Sequence, residues 1–297
     1  MGGRLDSVTT AADPSLANTN MYFAYNASRS ISATNNFPSG NTRLSYKAAG
    51  GIEISGGVGH TVRVPDARER YFALSRMGTD WVGDPALKPS RNTGVDGGVS
   101  FRRGSLLLEG SFYLYSIADY VTVVSQARIN MVPGVMNSSA RSYQNVNARM
   151  RGGELLISYL LTRSLFFSGD LSWVRGTSDV DPSKGILSSN LPEIPPMRAR
   201  TGVRYETSRV MAEVEGVFAG AQRNVDTLLG EQSTAGYGIA NLKAGMNFKK
   251  AVLRAGLNNI FGRRYFEHLS YQRDPFRSGV RVYEPGRNFF ISLSYRY

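Results

Sequence analysis

Residues 289–297, Phe289-Phe290-Ile291-Ser292-Leu293-Ser294-Tyr295-Arg296-Tyr297, alternate large apolar with mostly small or polar side chains up to the last residue. In an extended strand Phe289, Ile291, Leu293, Tyr295 and Tyr297 share one face, and Ser292, Ser294 and Arg296 share the other. A wholly apolar face on a terminal strand needs a cover. Lipid supplies one in a transmembrane β-barrel, whose opposite face meets a polar lumen.

The same period of two recurs upstream. Leu165, Phe167, Leu171 and Trp173 oppose Ser168, Asp170 and Ser172. Met197, Ala199, Thr201, Val203 and Tyr205 oppose Arg198, Arg200, Arg204 and Glu206, and Ala240, Leu242, Ala244, Met246 and Phe248 oppose Asn241, Lys243 and Asn247. Short turns are expected at 48–51, 102–104, 162–163, 207–208 and 249–250. They alternate with long polar connections at about 9–39, 63–91, 126–142, 177–195, 220–236 and 261–286. Short turns at one end and long loops at the other describe an outer-membrane barrel, with periplasmic turns and extracellular loops. The fold class is therefore all-β, a transmembrane antiparallel barrel of about twelve strands, the first a weakly marked Gly2–Val8.

Composition agrees. No stretch approaches the ~18 unbroken apolar residues of a membrane helix, so any span is made of strands. The 297 residues include 32 glycines, 16 tyrosines, 14 phenylalanines and no cysteine, which suits a sheet with aromatic girdles and excludes thiol chemistry. The net charge of +12 comes mainly from arginines scattered along the chain. They form no basic helical stripe, so no nucleic-acid partner is expected. A charged lumen and charged loops account for them, and inward arginines could draw anionic chelates, pair with carboxylates or meet lipopolysaccharide phosphates.

Three segments resemble the C-terminal part of the TonB-dependent outer-membrane receptor family. Val62-Arg63-Val64-Pro65-Asp66-Ala67-Arg68-Glu69-Arg70-Tyr71 leaves a strand for a loop, with Arg63, Pro65 and Glu69 at the family's motif positions. Gly83-Asp84-Pro85-Ala86-Leu87-Lys88-Pro89 returns from it. Asn259-Ile260-Phe261-Gly262-Arg263-Arg264-Tyr265, followed by Glu284, Pro285, Gly286 and Arg287, resembles the closing signature; Gly262 departs from the family's usual Asp or Asn. Arg63 and Glu69 are placed to pair across the loop base. The resemblance implies a 22-stranded barrel around a separate plug, with a segment that contacts TonB. It also implies that the aromatic tail, Phe289, Ile291, Leu293, Tyr295 and Tyr297, guides the barrel-assembly machinery. Residues 1–297 then form one partial barrel domain, and the front end shows neither plug nor signal peptide.

The function so implied is an outer-membrane receptor, in a Gram-negative bacterium, for TonB-energised uptake of a metal chelate such as an iron-siderophore. Lipid, lipopolysaccharide, the assembly machinery and TonB are its partners, and no cofactor is implied. The alternative is a smaller self-contained barrel acting as a passive channel or adhesin. Met131 and Met136 in one loop, with His60 and His268, are soft donors suited to copper, though their spacing matches no closed metal motif and loop methionines commonly serve as apolar filler. No hydrolase, phosphate-loop or zinc-protease motif supports an enzyme.

Overall fold

The computed structural model describes residues 1–227, 230–270 and 281–296. Its strands are β1 (Gly2–Ala11), β2 (Ser32–Ala48), β3 (Ile52–Arg63), β4 (Ala73–Leu74), β5 (Asp80–Val82), β6 (Ser90–Arg103), β7 (Leu106–Ala127), β8 (Ser139–Thr162), β9 (Leu165–Ser178), β10 (Arg198–Glu206), β11 (Val210–Ala219), β12 (Tyr237–Asn247), β13 (Ala251–Asn258) and β14 (Asn288–Tyr295). Two helices, α1 (Thr19–Asn26) and α2 (Ala67–Tyr71), lie in long connections. Twelve strands run in the order β1-β2-β3-β6-β7-β8-β9-β10-β11-β12-β13-β14, each antiparallel to the next. The short β4 and β5 pair inside one loop. Among the described residues β1 pairs only with β2, and β14 only with β13, so both are open edges.

Register carries the apolar positions into continuous rows. Tyr159, Phe167, Val203, Val214, Leu242, Leu257 and Phe289 stand opposite one another across seven strands. Every residue of β14 is exposed, Ile291 at 65% and Leu293 at 69%. Water would penalise such a surface by roughly 25 cal/mol per Å²; hydrocarbon does not. The opposite face of the sheet carries Asp170, Arg200, Glu213, Glu215 and Lys243, in line with the expected outward and inward sets.

The strands outrun their expected ends. The connection expected at 9–39 is shorter, because Gly2–Ala11 pairs residue for residue with Ser32–Asn41. Polar Thr9 and Thr34 hide that pairing in the sequence, yet their hydroxyls lie 2.8 Å apart across the ladder. β7 has 22 residues and β8 has 24, about twice the ~9–11 needed to cross a bilayer. Their upper parts extend beyond that length. There Leu191 and Ile194, from the β9–β10 connection, pack on Ile117 and Ala148 of the inner face.

Candidate functional site

Three long connections meet at the long-loop end and build a small core of their own. Helix α1 begins at Asn18, whose side chain accepts the Met21 amide, and ends at Ala27 in the left-handed region. Its Met21, Tyr22, Ala24 and Tyr25 are almost fully buried against Tyr71, Val82, Val132, Val135 and Ala140. Asp80, 1% exposed, is the polar centre. It accepts from the Tyr25 hydroxyl at 2.7 Å, the Asn137 amide at 2.6 Å and the Arg76 backbone at 3.1 Å. Burial, then the hydrogen-bonded carboxylate, pushes the Tyr25 phenol well above its ordinary range, so it remains a donor.

The first two motif segments pack directly on each other. Arg63 donates both terminal nitrogens to Glu69, at 2.9 Å each, so the expected pair is present as a fork. Glu69 also closes a capping box with Asp66, which starts α2. Pro65 ends β3 and is fully buried. Gly83 then lies so close to α2 that an added Cβ would sit 2.6 Å from the Arg70 carbonyl carbon. The Gly83 amide donates to Phe72 O at 2.7 Å, and the Asp84 amide to Glu69 O at 2.9 Å. The buried Arg70 guanidinium donates to Thr10 and Leu87 O. Beside it, burial pushes the Asp84 carboxyl up to about 6, against the opposing pulls of the Ala86 amide and Arg70.

The closing segment forms a second knot. Asn259, at φ 49° and 2% exposed, donates through Nδ2 to Arg263 O, accepts the Arg263 amide, and takes Asn241 Oδ1 on its own amide. Gly262 has φ 63°. Gly, Asn and Asp are the residues that tolerate this region, so the departure at Gly262 keeps the turn. Tyr265 packs on Tyr237 with ring centres 4.2 Å apart and planes tilted by 35°, and the Glu284 amide donates to Tyr265 O. Phe261 is exposed, the Gly262 backbone lies beside the Arg287 guanidinium, and the open space around Gly286 would admit a Cβ. Pro285 O lies at 3.5 Å from Asn259 Nδ2. Tyr297 lies outside the described residues.

Ion pairs recur along the inner wall. Arg43 pairs with Asp96, Arg198 with Glu267, Arg200 with Asp170, Arg204 with Glu206, and Lys243 with both Glu213 and Glu215. These arginines thus meet carboxylates of the chain itself, whereas the inward Arg254 of β13 makes no ion pair among the described residues. Sequence sign alone left that pairing open, because the partners lie on a neighbouring strand, on the next strand but one as for Arg43 and Asp96, in a loop, or two residues along.

The soft donors are not gathered. Met131 and Met136 share a loop and are 84% and 86% exposed. His60 bonds Thr93 on the neighbouring strand. His268 is buried between Thr234, at 3.0 Å, and Glu231, at 3.2 Å. Burial works against the Glu231 carboxylate. Hydrogen bonds from His268 and from the Asp226 and Glu193 amides outweigh it and hold the group below its usual range. Among the described residues no group of three or more His, Asp or Glu is placed to hold a metal. A cavity of about 310 Å³ lies between the upper end of β7 and the β9–β10 connection, lined in part by Thr122, Ser125, Ser188 and Asn190.

No curated protein matches the sequence. Among solved structures, the copper transporter OprC matches 99% of this chain at 25% identity, with a TM-score of 0.75. The ferric enterobactin receptor PfeA of Pseudomonas aeruginosa matches 88% at 16% identity and 0.68, and the FrpB iron transporter of Neisseria meningitidis 89% at 17% and 0.63. The chain spans less than half of each: 44%, 41% and 38%. Residues 1–260 match the model described as TonB dependent receptor-like, beta-barrel, and the chain belongs to that family.

Proposed function

We propose that this chain is the barrel portion of an outer-membrane receptor for TonB-energised uptake of a scarce metal, carried as a chelate such as an iron-siderophore. The observation that carries this reading is the family match over residues 1–260. In this reading β1 and β14 pair with further strands of a longer barrel, because unpaired backbone groups cost several kcal/mol each in hydrocarbon. The loop cluster around Asp80 and the loop knot around His268 then frame the entrance. In this reading TonB acts through a plug domain that the barrel encloses.

A second reading, copper uptake, is favoured by the likeness to a copper transporter across 99% of the chain and by exposed thioethers at Met131 and Met136. One experiment weighs both. The receptor gene is inactivated, then restored with or without Met131→Ala and Met136→Ala, and growth on ferric siderophores and cell-associated copper are measured. Loss of siderophore-dependent growth supports the first reading. Copper accumulation that depends on the two methionines supports the second. If neither responds to inactivation, metal uptake is wrong and the passive-channel alternative stands.

A further inference from the structure

On the outer face Arg91 pairs with Asp119, but three arginines of β8 and β9 have no counter-charge among the described residues. Register places Val58, Val95, Leu114, Arg151 and Arg175 in one outward row across β3, β6, β7, β8 and β9. The next row toward the long loops is His60, Thr93, Ser116, Arg149 and Thr177. The row below is Gly56, Gly97, Phe112, Gly153 and Trp173, with the Phe112 ring lying over Gly97. Going up the face, side chains change from aromatic and aliphatic to basic within two rows.

Arg151 and Arg175 are directly opposite each other on adjacent strands, an arrangement that destabilises a sheet when both are charged. Arg149 stands two residues further along β8, on the same face. None of the three makes an ion pair among the described residues. Arg175 donates to the neutral Asn190 at 2.9 Å, and the Arg151 guanidinium lies 6.0 Å from the Trp173 ring. A concavity of about 630 Å³ opens here, lined by the apolar Val58, Val95 and Leu114 and by all three arginines.

We propose that this concavity binds a phosphorylated lipid of the leaflet on the long-loop side, with an acyl chain on Val58, Val95 and Leu114 and phosphate oxygens on Arg149, Arg151 and Arg175. Guanidinium groups meet phosphate in forked pairs, and the phosphate removes the repulsion within the arginine pair. The apolar part of the lining has a partner in an acyl chain and none in a free phosphate, which favours a lipid as the occupant. Given the outer-membrane reading above, on which the choice of source rests, that lipid is lipopolysaccharide held by its lipid A phosphates.

The test compares the receptor with R149Q/R151Q/R175Q and with the control R102Q/R103Q/R163Q at the short-turn end. Each is solubilised in mild detergent and titrated with purified lipopolysaccharide or with its dephosphorylated form. The site variant should bind phosphorylated lipopolysaccharide about a hundredfold more weakly, roughly a factor of five per arginine. The control should match the parent, and dephosphorylation should bring the parent down to the level of the site variant. Equal binding by parent and site variant, or by phosphorylated and dephosphorylated lipid, overturns the proposal. Heat-modifiable migration reports folding; if the triple variant fails it, R151Q alone must still weaken binding severalfold. Membrane fractionation tests location separately, so an outer-membrane receptor that binds without regard to the arginines refutes the site and leaves the location standing.

Discussion

Replacing Gly83 by alanine should unlock the loop base while leaving the barrel intact. The added Cβ would lie 2.6 and 2.7 Å from the carbonyl carbon and oxygen of Arg70, and 2.8 Å from Glu69 O. All three are backbone atoms, so no side chain can swing away. Relief requires the segment to retreat from α2 by roughly 0.6–0.8 Å, the gap to ordinary van der Waals contact. That movement strains the Gly83-to-Phe72 and Asp84-to-Glu69 hydrogen bonds. Overpacking at about 1–3 kcal/mol and two weakened hydrogen bonds at about 0.5–1 kcal/mol each give a loss of roughly 2–5 kcal/mol. Amide exchange at positions 83 and 84, measured in the receptor in lipid, should accelerate about thirtyfold to a few thousandfold. Strand amides in β12 and β13 should be unchanged. Gly286→Ala, where no atom lies within 4 Å of the new Cβ, is the matched control. Unchanged exchange at positions 83 and 84 would refute the close-packing account.

Two further outcomes are expected. Asp84 is ionised in both folded and unfolded chain at neutral pH, and its burial is then fully unfavourable. As pH falls through about 6 the folded form takes up a proton, while the unfolded carboxyl waits for about 3.8. Loop stability should therefore rise between pH 7 and pH 5, on the order of 1–2 kcal/mol, as followed by urea-dependent Trp81 fluorescence in a Trp173→Phe background, and Asp84→Asn should flatten the profile. At Gly262, with φ 63°, alanine should cost about 1–2 kcal/mol and asparagine distinctly less; a thermal melt that ranks them the other way contradicts the left-handed turn.

Much of the barrel was legible because strand period and turn spacing are local signals. Leu165–Trp173, Ala240–Phe248 and the tail each show their faces within nine residues. The Arg63–Glu69 pair was legible too, being six residues apart. Helix α1 was not. Its buried Met21, Tyr22, Ala24 and Tyr25 do share one helical face, but the helix has only eight residues, too few to show a period, and the partners that bury it come from residues 71–82 and 132–140. His268 also escaped a structural reading, because its partner Glu231 lies 37 residues away in another connection. The inward charges showed their sign but not their pairing. Lys243 meets Glu213 and Glu215 only because β11 and β12 share one register.

The core around α1 also sets an order of events. Tyr25 reaches the carbonyl of Asn137, 112 residues later, and the side chain of Gln126 returns to the carbonyl of Tyr25 across 101 residues. Contacts of such sequence separation form late, after the intervening chain has been arranged. Six sheet strands, β1, β2, β3, β6, β7 and β8, depart from or return to the segments that meet there. Until those hairpins have paired in register, α1 has nowhere to bury its tyrosines. Its docking is therefore a checkpoint: a protected Tyr25 amide reports that this sector is correctly paired.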